Sequence, residues 1–138
     1  DMKDIINKKV KHRQWFRPFA PSILREKVSE WFERDVDSPY MSTVLKFKEE
    51  VRDSVPAVVH FDGTGRVQTV TQKDNEWYYN LIARFNEKTG VPILLNTSFN
   101  DREPIVETPE HAINCFLGTD IDYLYFADLN ILVEKNNE

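Results

Sequence analysis

The sequence contains one cysteine, four glycines and no long apolar run among its 138 residues. Cys115 cannot form an internal disulfide, and it falls on the apolar side of a predicted helix, so we expect it to pack in the core. No stretch approaches the roughly 20 apolar residues that cross a bilayer, and the amino terminus lacks the apolar segment of a secretory signal. We therefore expect a cytoplasmic protein that does not contact a membrane.

Familiar nucleotide and metal motifs are also missing. The sequence has no glycine-rich Walker loop, no GxGxxG fingerprint, no GxSxG elbow and no cysteine pair for zinc. The three histidines, His12, His60 and His111, are widely spaced, so the sequence predicts no metal site built from them. Any nucleotide chemistry must therefore use other residues.

The composition is that of an ordinary globular protein, with 41% hydrophobic and 30% charged residues. This length predicts a single domain over residues 1–138. The net charge is -5, yet residues 1–34 carry nine Lys or Arg against five Asp or Glu. The acidic remainder makes nucleic-acid binding unlikely, whereas the cationic first quarter favours a small polyanion.

The spacing of apolar residues predicts helices and strands that alternate along the chain. Helices are predicted at residues 2–10, 22–32, 75–90 and 108–118, the second with Ser22 as its N-cap. Strands are predicted at residues 41–48, 57–61, 66–71, 91–95, 123–126 and 131–133. We expect the strands at 57–61 and 66–71 to form a hairpin, and the strand at 91–95 to be central in the sheet. The fold class is α/β (α+β), a twisted open mixed sheet flanked by helices.

A run of basic side chains follows the first helix. Asn7–Arg17 contains five Lys or Arg and no carboxylate. If the segment is extended, Lys11 and Arg13 project from one face, because side chains alternate, and Arg17 lies four residues further on. Guanidinium groups bind phosphate oxygens through paired hydrogen bonds and lysine adds compact charge, so the pattern favours a phosphate site. A solvated basic face explains the same spacing.

The string HFDGTGRVQTV contains a second candidate site. Its two glycines permit a turn whose amides approach an anion, with Thr64 beside them and Arg66 as a cation at the rim. Asp-Gly is also a common hairpin signal, so the turn has a purely structural explanation as well.

Ser98 and Asn100 form the third candidate, in a loop that continues to Arg102 after the apolar run Val91–Leu95. Ligands in open α/β sheets gather outside the carboxyl ends of strands. Both side chains can donate to phosphate oxygens. The alternative is a turn in which Ser and Asn bind their own backbone.

Three strings of the chain occur in a recognisable order: VKHRQWFRPFAPS, PAVVHFDGTGRVQTV and GVPILLNTSFN...EPIVETPEHAINCFLGTDID. They cover most of Ile6–Phe126. Together they resemble the carboxyl-terminal region of the O-carbamoyltransferases that modify nodulation factors and antibiotics. The first predicted helix begins at the chain start without room for a capping turn, so we expect a fragment of that family's YrdC-like domain.

The resemblance implies a division of labour. In that family an amino-terminal actin-like, metal-binding domain transfers the carbamoyl group to an acceptor hydroxyl. The YrdC-like part condenses carbamoyl phosphate with ATP to give carbamoyl-adenylate. For this chain it implies a carbamoyltransferase fragment that binds both substrates, with Mg²⁺ held mainly by phosphates. The amino-terminal domain of the same polypeptide is the expected partner, and the fragment alone is expected to be inactive.

The resemblance also implies roles for particular residues. Lys11 and Arg13 match the Lys-x-Arg element of YrdC-like domains and are the expected catalytic pair. Ser98 and Asn100 match the Ser-x-Asn element and are expected to bind substrate or nucleotide. Further expected contacts in the flanking motifs are Arg17, Thr64, Arg66 and Arg102. The family often has Arg-Gly before Glu-Pro, whereas Arg102 directly precedes this chain's Glu-Pro and the loop is one residue shorter.

Two other functions fit a YrdC-like domain. One is an RNA-associated module similar to the threonylcarbamoyl-adenylate synthases, which the acidic balance beyond residue 34 disfavours. The other is a docking domain without catalysis, which only completes a site on a partner domain.

Overall fold

The computed structural model describes residues 2–12, 14 and 17–136. The chain divides into two compact units. The sheet unit is Pro18–Thr97, and the hairpin unit combines Met2–Arg17 with Ser98–Glu138. Arg13, a predicted site residue, lies outside the described residues.

The sheet unit is built on four strands: β1 (Ala20–Leu24), β2 (Thr43–Lys46), β3 (Thr64–Val70) and β4 (Ile93–Asn96). Their order across the sheet is β2-β3-β1-β4. β1 runs parallel to β3 and antiparallel to β4, while β2 and β3 are antiparallel. A mixed sheet flanked by helices is the predicted fold class, which is confirmed and is consistent with an α+β YrdC-like fold.

The predicted helix from Ser22 to Phe32 is wrong over its first three residues, 22–24, which belong to β1. All five residues of β1 are buried, and the strand lies between β3 and β4 in the sheet. An amphipathic helix needs a solvent face, and this segment has none. The Ser22 hydroxyl donates to Gln68 Oε1 at 2.7 Å instead of capping a helix. Helical structure begins only at a 3-10 turn, Arg25–Lys27, followed by α2 (Val28–Trp31).

The predicted hairpin partner of β3 is also wrong, since residues 57–61 form no strand. Both edges of β3 are occupied by β1 and β2, which leaves no edge for a further strand. A tight turn nevertheless precedes β3. The amide of His60 donates to the carbonyl of Thr64 at 2.7 Å, and the amide of Gly63 donates to His60 at 2.9 Å. Gly63 has a φ of 80°, which glycine adopts without strain.

The alternation predicted for β2 is confirmed. Leu45 and Phe47 are buried, whereas Val44 and Lys46, which alternate with them, are exposed. The Phe47 ring packs against Phe32 with ring centroids 4.3 Å apart, and the two residues form an isolated antiparallel bridge. Aromatic and aliphatic burial therefore fixes the inner face of this strand.

The strand predicted at residues 91–95 forms as β4, but it lies at an edge of the sheet, so the prediction of a central strand is wrong. Its apolar run has another cause. Leu94 packs against a core cluster of Leu24, Val70 and Ile82, the last contributed by a helix. The hydrophobic sequence of β4 is explained by the helix that packs against it, and not by a neighbouring strand on each side.

That helix is α3 (Glu76–Thr89), and it confirms the predicted helix at residues 75–90. The side chain of Asn75 caps it by accepting the Tyr78 amide at 3.0 Å. Gly90 ends it with a φ of 76°, in the left-handed region. Ile82 is its fully buried residue and faces the sheet core.

The described part of the hairpin unit contains two α-helical segments and a β-hairpin, all close to their predicted positions, and a 3-10 turn, Ala127–Leu129, connects the two strands of the hairpin. α1 (Met2–Ile5) continues as a wider π-helical turn, Ile6–Val10. α4 (Pro109–Leu117) is capped by Thr108, whose hydroxyl accepts the His111 amide at 3.1 Å. β5 (Tyr123–Phe126) pairs antiparallel with β6 (Ile131–Glu134). Across the described ranges, no helix has the length and apolar character needed to cross a membrane.

Candidate functional site

The ammonium group of Lys11 lies within the hairpin unit, against the polar loop Ser98–Glu103. The residue is buried, with 7% exposure. Its Nζ donates to the backbone oxygen of Ser98, to that of Asn100 at 2.6 Å, and to Asn100 Oδ1 at 3.0 Å. Residues that are more than eighty positions apart in sequence thus meet around one cation.

The side chains of Ser98 and Asn100 are bound to each other. The Ser98 hydroxyl donates to Asn100 Oδ1 at 2.7 Å, and Asn100 Nδ2 donates to the backbone oxygen of Glu103 at 2.9 Å. Asn100 Oδ1 therefore accepts from both the hydroxyl and the Lys11 ammonium. Ser98 is exposed, so this network reaches the surface.

A second contact joins the same two segments through His12 and Asp101. His12 Nδ1 lies 3.0 Å from Asp101 Oδ1, with the carboxylate more buried than the imidazole. His12 has a φ of 45°, which non-glycine residues seldom adopt. The His12–Asp101 contact holds the backbone of His12 in this conformation, directly after Lys11 in the chain. No pattern in the sequence predicts this partner of His12, because the two residues are 89 positions apart.

The carboxylate of Glu103 accepts hydrogen bonds from backbone amides of its own loop. Its Oε1 accepts the Asp101 amide at 3.1 Å, and its Oε2 accepts the Arg102 amide at 3.1 Å. Hydrogen bonds from its own amide, the Cys115 thiol and the Asp101 amide lower the pKa of Glu103 to about 2. The group is therefore a stable anion at neutral pH, held by the backbone that it organises. Glu103 is not among the site residues predicted from the sequence.

Cys115 lies under the loop and is buried, as predicted from its position on α4. Burial, together with the hydrogen bond to Glu103, raises its pKa to about 11, although the nearby Lys11 charge acts in the opposite direction. The thiol is thus protonated at neutral pH. A protonated, buried thiol is a poor nucleophile, which fits a packing role.

A cavity of about 650 Å³ adjoins the loop within the hairpin unit. Its walls include three carboxylates, those of Asp101, Glu103 and Glu107, together with His111 and Cys115. This acidic lining creates a field that opposes phosphate. The lining of this cavity therefore does not match the cationic site predicted from the sequence.

Two other predicted residues of the hairpin unit have exposed side chains. Arg17 is exposed, and its backbone oxygen accepts from the buried amide group of Asn7 at 2.8 Å. Arg102 is exposed, and its backbone amide is bound by Glu103. Both guanidinium groups can therefore approach a solute from solvent.

Thr64 and Arg66 belong to the sheet unit, at the start of β3. The amide and hydroxyl of Thr64 both donate to Asp62 Oδ1, at 3.1 and 2.7 Å, and they lower the Asp62 pKa. This is a local Asx-type turn, which accounts for the motif structurally. Arg66 is exposed on β3, opposite Val44 of β2.

A polar cluster that sequence analysis missed crosses three strands of the sheet unit. Asn96 Nδ2 donates to Gln68 Oε1 at 2.7 Å and to the Ser22 hydroxyl at 3.1 Å. The sequence carried a signal only at Ser22, which interrupts the otherwise apolar β1, whereas Gln68 lies in a strand of mixed polarity and Asn96 ends β4. Their hydrogen bonds satisfy groups that would be costly to bury alone.

The fold and this geometry lead to a classification. A mixed sheet with flanking helices has the architecture of the YrdC-like α+β class. The family model described as "Carbamoyltransferase C-terminus" matches residues 1–135, and the chain belongs to this family.

Several curated proteins are similar over most of the chain. "Nodulation protein NolNO" of Sinorhizobium fredii is 48% identical and "Nodulation protein NolO" of Bradyrhizobium diazoefficiens is 47% identical, each over 88% of the chain. An uncharacterised protein of Synechocystis sp. is 43% identical over 89% of the chain. The matches cover 18%, 23% and 23% of these relatives, so the chain spans about a fifth of their length.

Proposed function

We propose that this chain is the part of an O-carbamoyltransferase that binds ATP and carbamoyl phosphate and forms carbamoyl-adenylate. The convergence of Lys11 with Ser98 and Asn100 is the observation that carries the proposal. These are the residues that match the Lys-x-Arg and Ser-x-Asn elements of YrdC-like domains. Membership of the carbamoyltransferase family supplies the chemistry.

The proposed reaction brings two anions together, so it depends mainly on neutralisation of their charge by the protein. Water first cleaves carbamoyl phosphate to carbamate and inorganic phosphate. A carbamate oxygen then attacks the α-phosphorus of ATP, a new P–O bond forms, and the bond to pyrophosphate breaks. Overall, carbamoyl phosphate, ATP and water give carbamoyl-adenylate, pyrophosphate and inorganic phosphate. Both substrates are anions, so positioning and charge neutralisation contribute more than acid-base catalysis, and the protein needs no nucleophile of its own.

In this mechanism Lys11 and Arg13 neutralise phosphate charge, while Ser98 and Asn100 orient the substrates. The Lys11 ammonium donates to oxygens of the loop, so a phosphate oxygen must replace at least one of these acceptors when it binds. This exchange is favourable because a phosphate carries more charge than a carbonyl. Arg17, Arg66, Arg102 and Thr64 remain proposed contacts at the rim.

Magnesium is expected to accompany ATP. Among residues 2–12, 14 and 17–136, no group of three or more His, Cys, Asp or Glu is arranged to hold a metal ion. Mg²⁺ keeps several waters and binds nucleotides through phosphate oxygens, so an ATP site does not need such a group. When bound, the ion neutralises phosphate charge. The role left to the chain is to orient the phosphates.

The remainder of the proposed enzyme lies outside the chain. We place residues 1–138 in one YrdC-like domain and propose that an actin-like domain of the same polypeptide transfers the carbamoyl group to an acceptor. The chain alone then forms carbamoyl-adenylate at most and transfers nothing. We also propose a cytoplasmic location, where ATP is available to the enzyme.

Calorimetric titration of the chain with ATP, with carbamoyl phosphate present, tests the proposal. We expect binding by the wild type, and a loss of at least about tenfold in affinity for Lys11→Met, because a charge-assisted contact to phosphate is removed. Arg13→Ala is expected to weaken binding similarly.

Lys8→Met is the matched control, because Lys8 is an exposed lysine of the same basic segment. Its affinity is expected to stay within about twofold of the wild type. Equal affinity in the wild type, Lys11→Met and Arg13→Ala would contradict the proposed pocket.

A docking role is the second candidate, favoured by apolar exposure on the hairpin unit. Leu117, Tyr123 and Leu132 are 64%, 56% and 61% exposed. Large apolar side chains left exposed favour an interaction surface. In this version the chain completes a site on the actin-like domain and binds no nucleotide by itself.

Mixing the chain with the separately produced remainder of the polypeptide tests the docking role by gel filtration. Leu132→Asp is expected to abolish co-elution, and Val44→Asp, an exposed position of the sheet unit, is expected to preserve it. Tight ATP binding by the chain alone, without co-elution, would favour the first proposal over this one.

A further inference from the structure

The carboxylate of Glu103 occupies a nest of consecutive backbone amides. Oε1 accepts from Asp101 and Oε2 from Arg102, both at 3.1 Å, and the amide of Glu103 itself also points to the group. Successive amides of this kind form an anion-binding concavity. Here the anion is supplied by the chain and fixes the turn at residues 101–103.

Glu103 holds the other end of the loop as well. Its backbone oxygen accepts from Asn100 Nδ2 at 2.9 Å, and Asn100 Oδ1 in turn accepts from the Ser98 hydroxyl at 2.7 Å. The Cys115 thiol is hydrogen-bonded to the carboxylate from α4. One residue thus links α4 to the two side chains proposed to orient substrate.

We propose that Glu103 is a positioning residue, whose carboxylate fixes the turn at residues 101–103 and thereby sets the directions of Ser98 and Asn100 for substrate binding. This inference rests on the proposed function and deepens it. Glu103 acts through Asn100 and touches no substrate.

The chemistry of Glu103 excludes the two obvious alternatives. A general base needs a pKa near the working pH, whereas the hydrogen bonds from its own amide and the Cys115 thiol hold the Glu103 pKa at about 2. Direct contact with phosphate is opposed by like charge, and Asp101 and Glu107 add to the same acidic wall. Organising the loop is the role that remains.

Three variants of the full chain test the inference by ATP titration. Glu103→Ala is expected to weaken ATP binding about tenfold, because Ser98 and Asn100 lose their fixed directions. Glu103→Gln is expected to restore part of the affinity, because its carbonyl oxygen still accepts one amide. Glu107→Ala removes a carboxylate from the same cavity wall and is expected to leave the affinity within about twofold.

Two further measurements separate positioning from general stability. Hydrogen exchange at the amides of Asp101 and Arg102 is expected to speed up in Glu103→Ala and to stay slow in Glu107→Ala. Alkylation of Cys115, the sole cysteine, is expected to accelerate in Glu103→Ala, because removal of the Glu103 charge lowers the pKa of the thiol.

The possible outcomes distinguish this inference from the proposed function. If the wild type binds no ATP, the proposed function fails. If the wild type binds and Lys11→Met weakens binding, but folded Glu103→Ala binds with wild-type affinity, the positioning role alone is overturned. If Glu103→Ala does not fold, Glu103→Gln decides, because partial loss supports the role and unchanged affinity with fast exchange at residues 101 and 102 contradicts it.

Discussion

The Lys11 ammonium has exchanged water for oxygens of the loop Ser98–Glu103, and this exchange ties the amino-terminal segment to that loop. Lys11→Met leaves those oxygens without their donor. We expect the free energy of unfolding to fall by about 1–3 kcal/mol, measured by urea denaturation. Lys8→Met, at an exposed position, is expected to change it by less than about 0.5 kcal/mol. Equal stabilities for the two variants would mean that the buried ammonium contributes nothing to the fold.

The raised pKa of the Cys115 thiol leads to a prediction of how the free energy of unfolding changes at alkaline pH. Burial raises the pKa of its thiol from an ordinary value of 9.0 to about 11. A raised pKa means that the folded state holds the proton more tightly, so this contribution is complete below pH 9.0 and is lost as the pH rises through about 11. Subtracting the pH profile of Cys115→Ala from that of the wild type should reveal a decline across this window. If the difference between the two profiles does not change with pH, the raised pKa of the Cys115 thiol is contradicted.

At the level of single elements, α3 depends on its cap. The Asn75 side chain accepts the Tyr78 amide at 3.0 Å, so Asn75→Ala leaves that amide unsatisfied. We expect a loss of about 1 kcal/mol in the free energy of unfolding, measured by urea denaturation. Asn75→Asp keeps the acceptor and should retain nearly all of the stability. If both substitutions cost the same, the cap is not the cause.

Gly65 tests how tightly β3 packs against its neighbours. A Cβ at this position would lie 2.7 Å from Phe47 Cε2, and the Phe47 ring is fully buried against Phe32. Gly65→Ala must displace that ring, so we expect a cost of about 1–3 kcal/mol in thermal or chemical unfolding. Val44→Ala, exposed on β2, should cost less than about 0.5 kcal/mol. A neutral Gly65→Ala would show that the ring moves freely.

Elements set by local signals were predictable from the sequence. Asn75 and Gly90 delimit α3, and Thr108 begins α4, because caps act on amides and carbonyls within a few residues. β1 was not predictable, since its identity comes from pairing with β3 and β4, which are distant in sequence. Its Ser22 is a reasonable N-cap locally, and tertiary pairing overrides that preference.

The candidate site likewise contains some residues that were predicted from the sequence and some that were not. The resemblance identified Lys11, Ser98 and Asn100, and the structure brings these three together. It did not identify Glu103, because a carboxylate that binds the amides just before it has no periodic or spacing signal. The His12–Asp101 contact was equally hidden, since it joins segments 89 positions apart.

For the whole molecule, charge and family membership point in the same direction. The net charge of -5 repels anions in general, so an ATP site needs a local concentration of positive charge. Under the proposed function, the five basic residues of Asn7–Arg17 provide this charge, and the Lys11 residue among them is buried within the hairpin unit. The chain belongs to the carbamoyltransferase family, and both substrates that we propose for it carry phosphate.

The most direct test is amide NMR of the isotope-labelled chain during titration with ATP and carbamoyl phosphate. The account predicts that the signals of Lys11 and of the loop Ser98–Glu103 shift progressively and saturate, while those of α3 stay in place. Saturating shifts confined to α3 or to the acidic cavity near Glu107, with Lys11 and the loop unmoved, would contradict it.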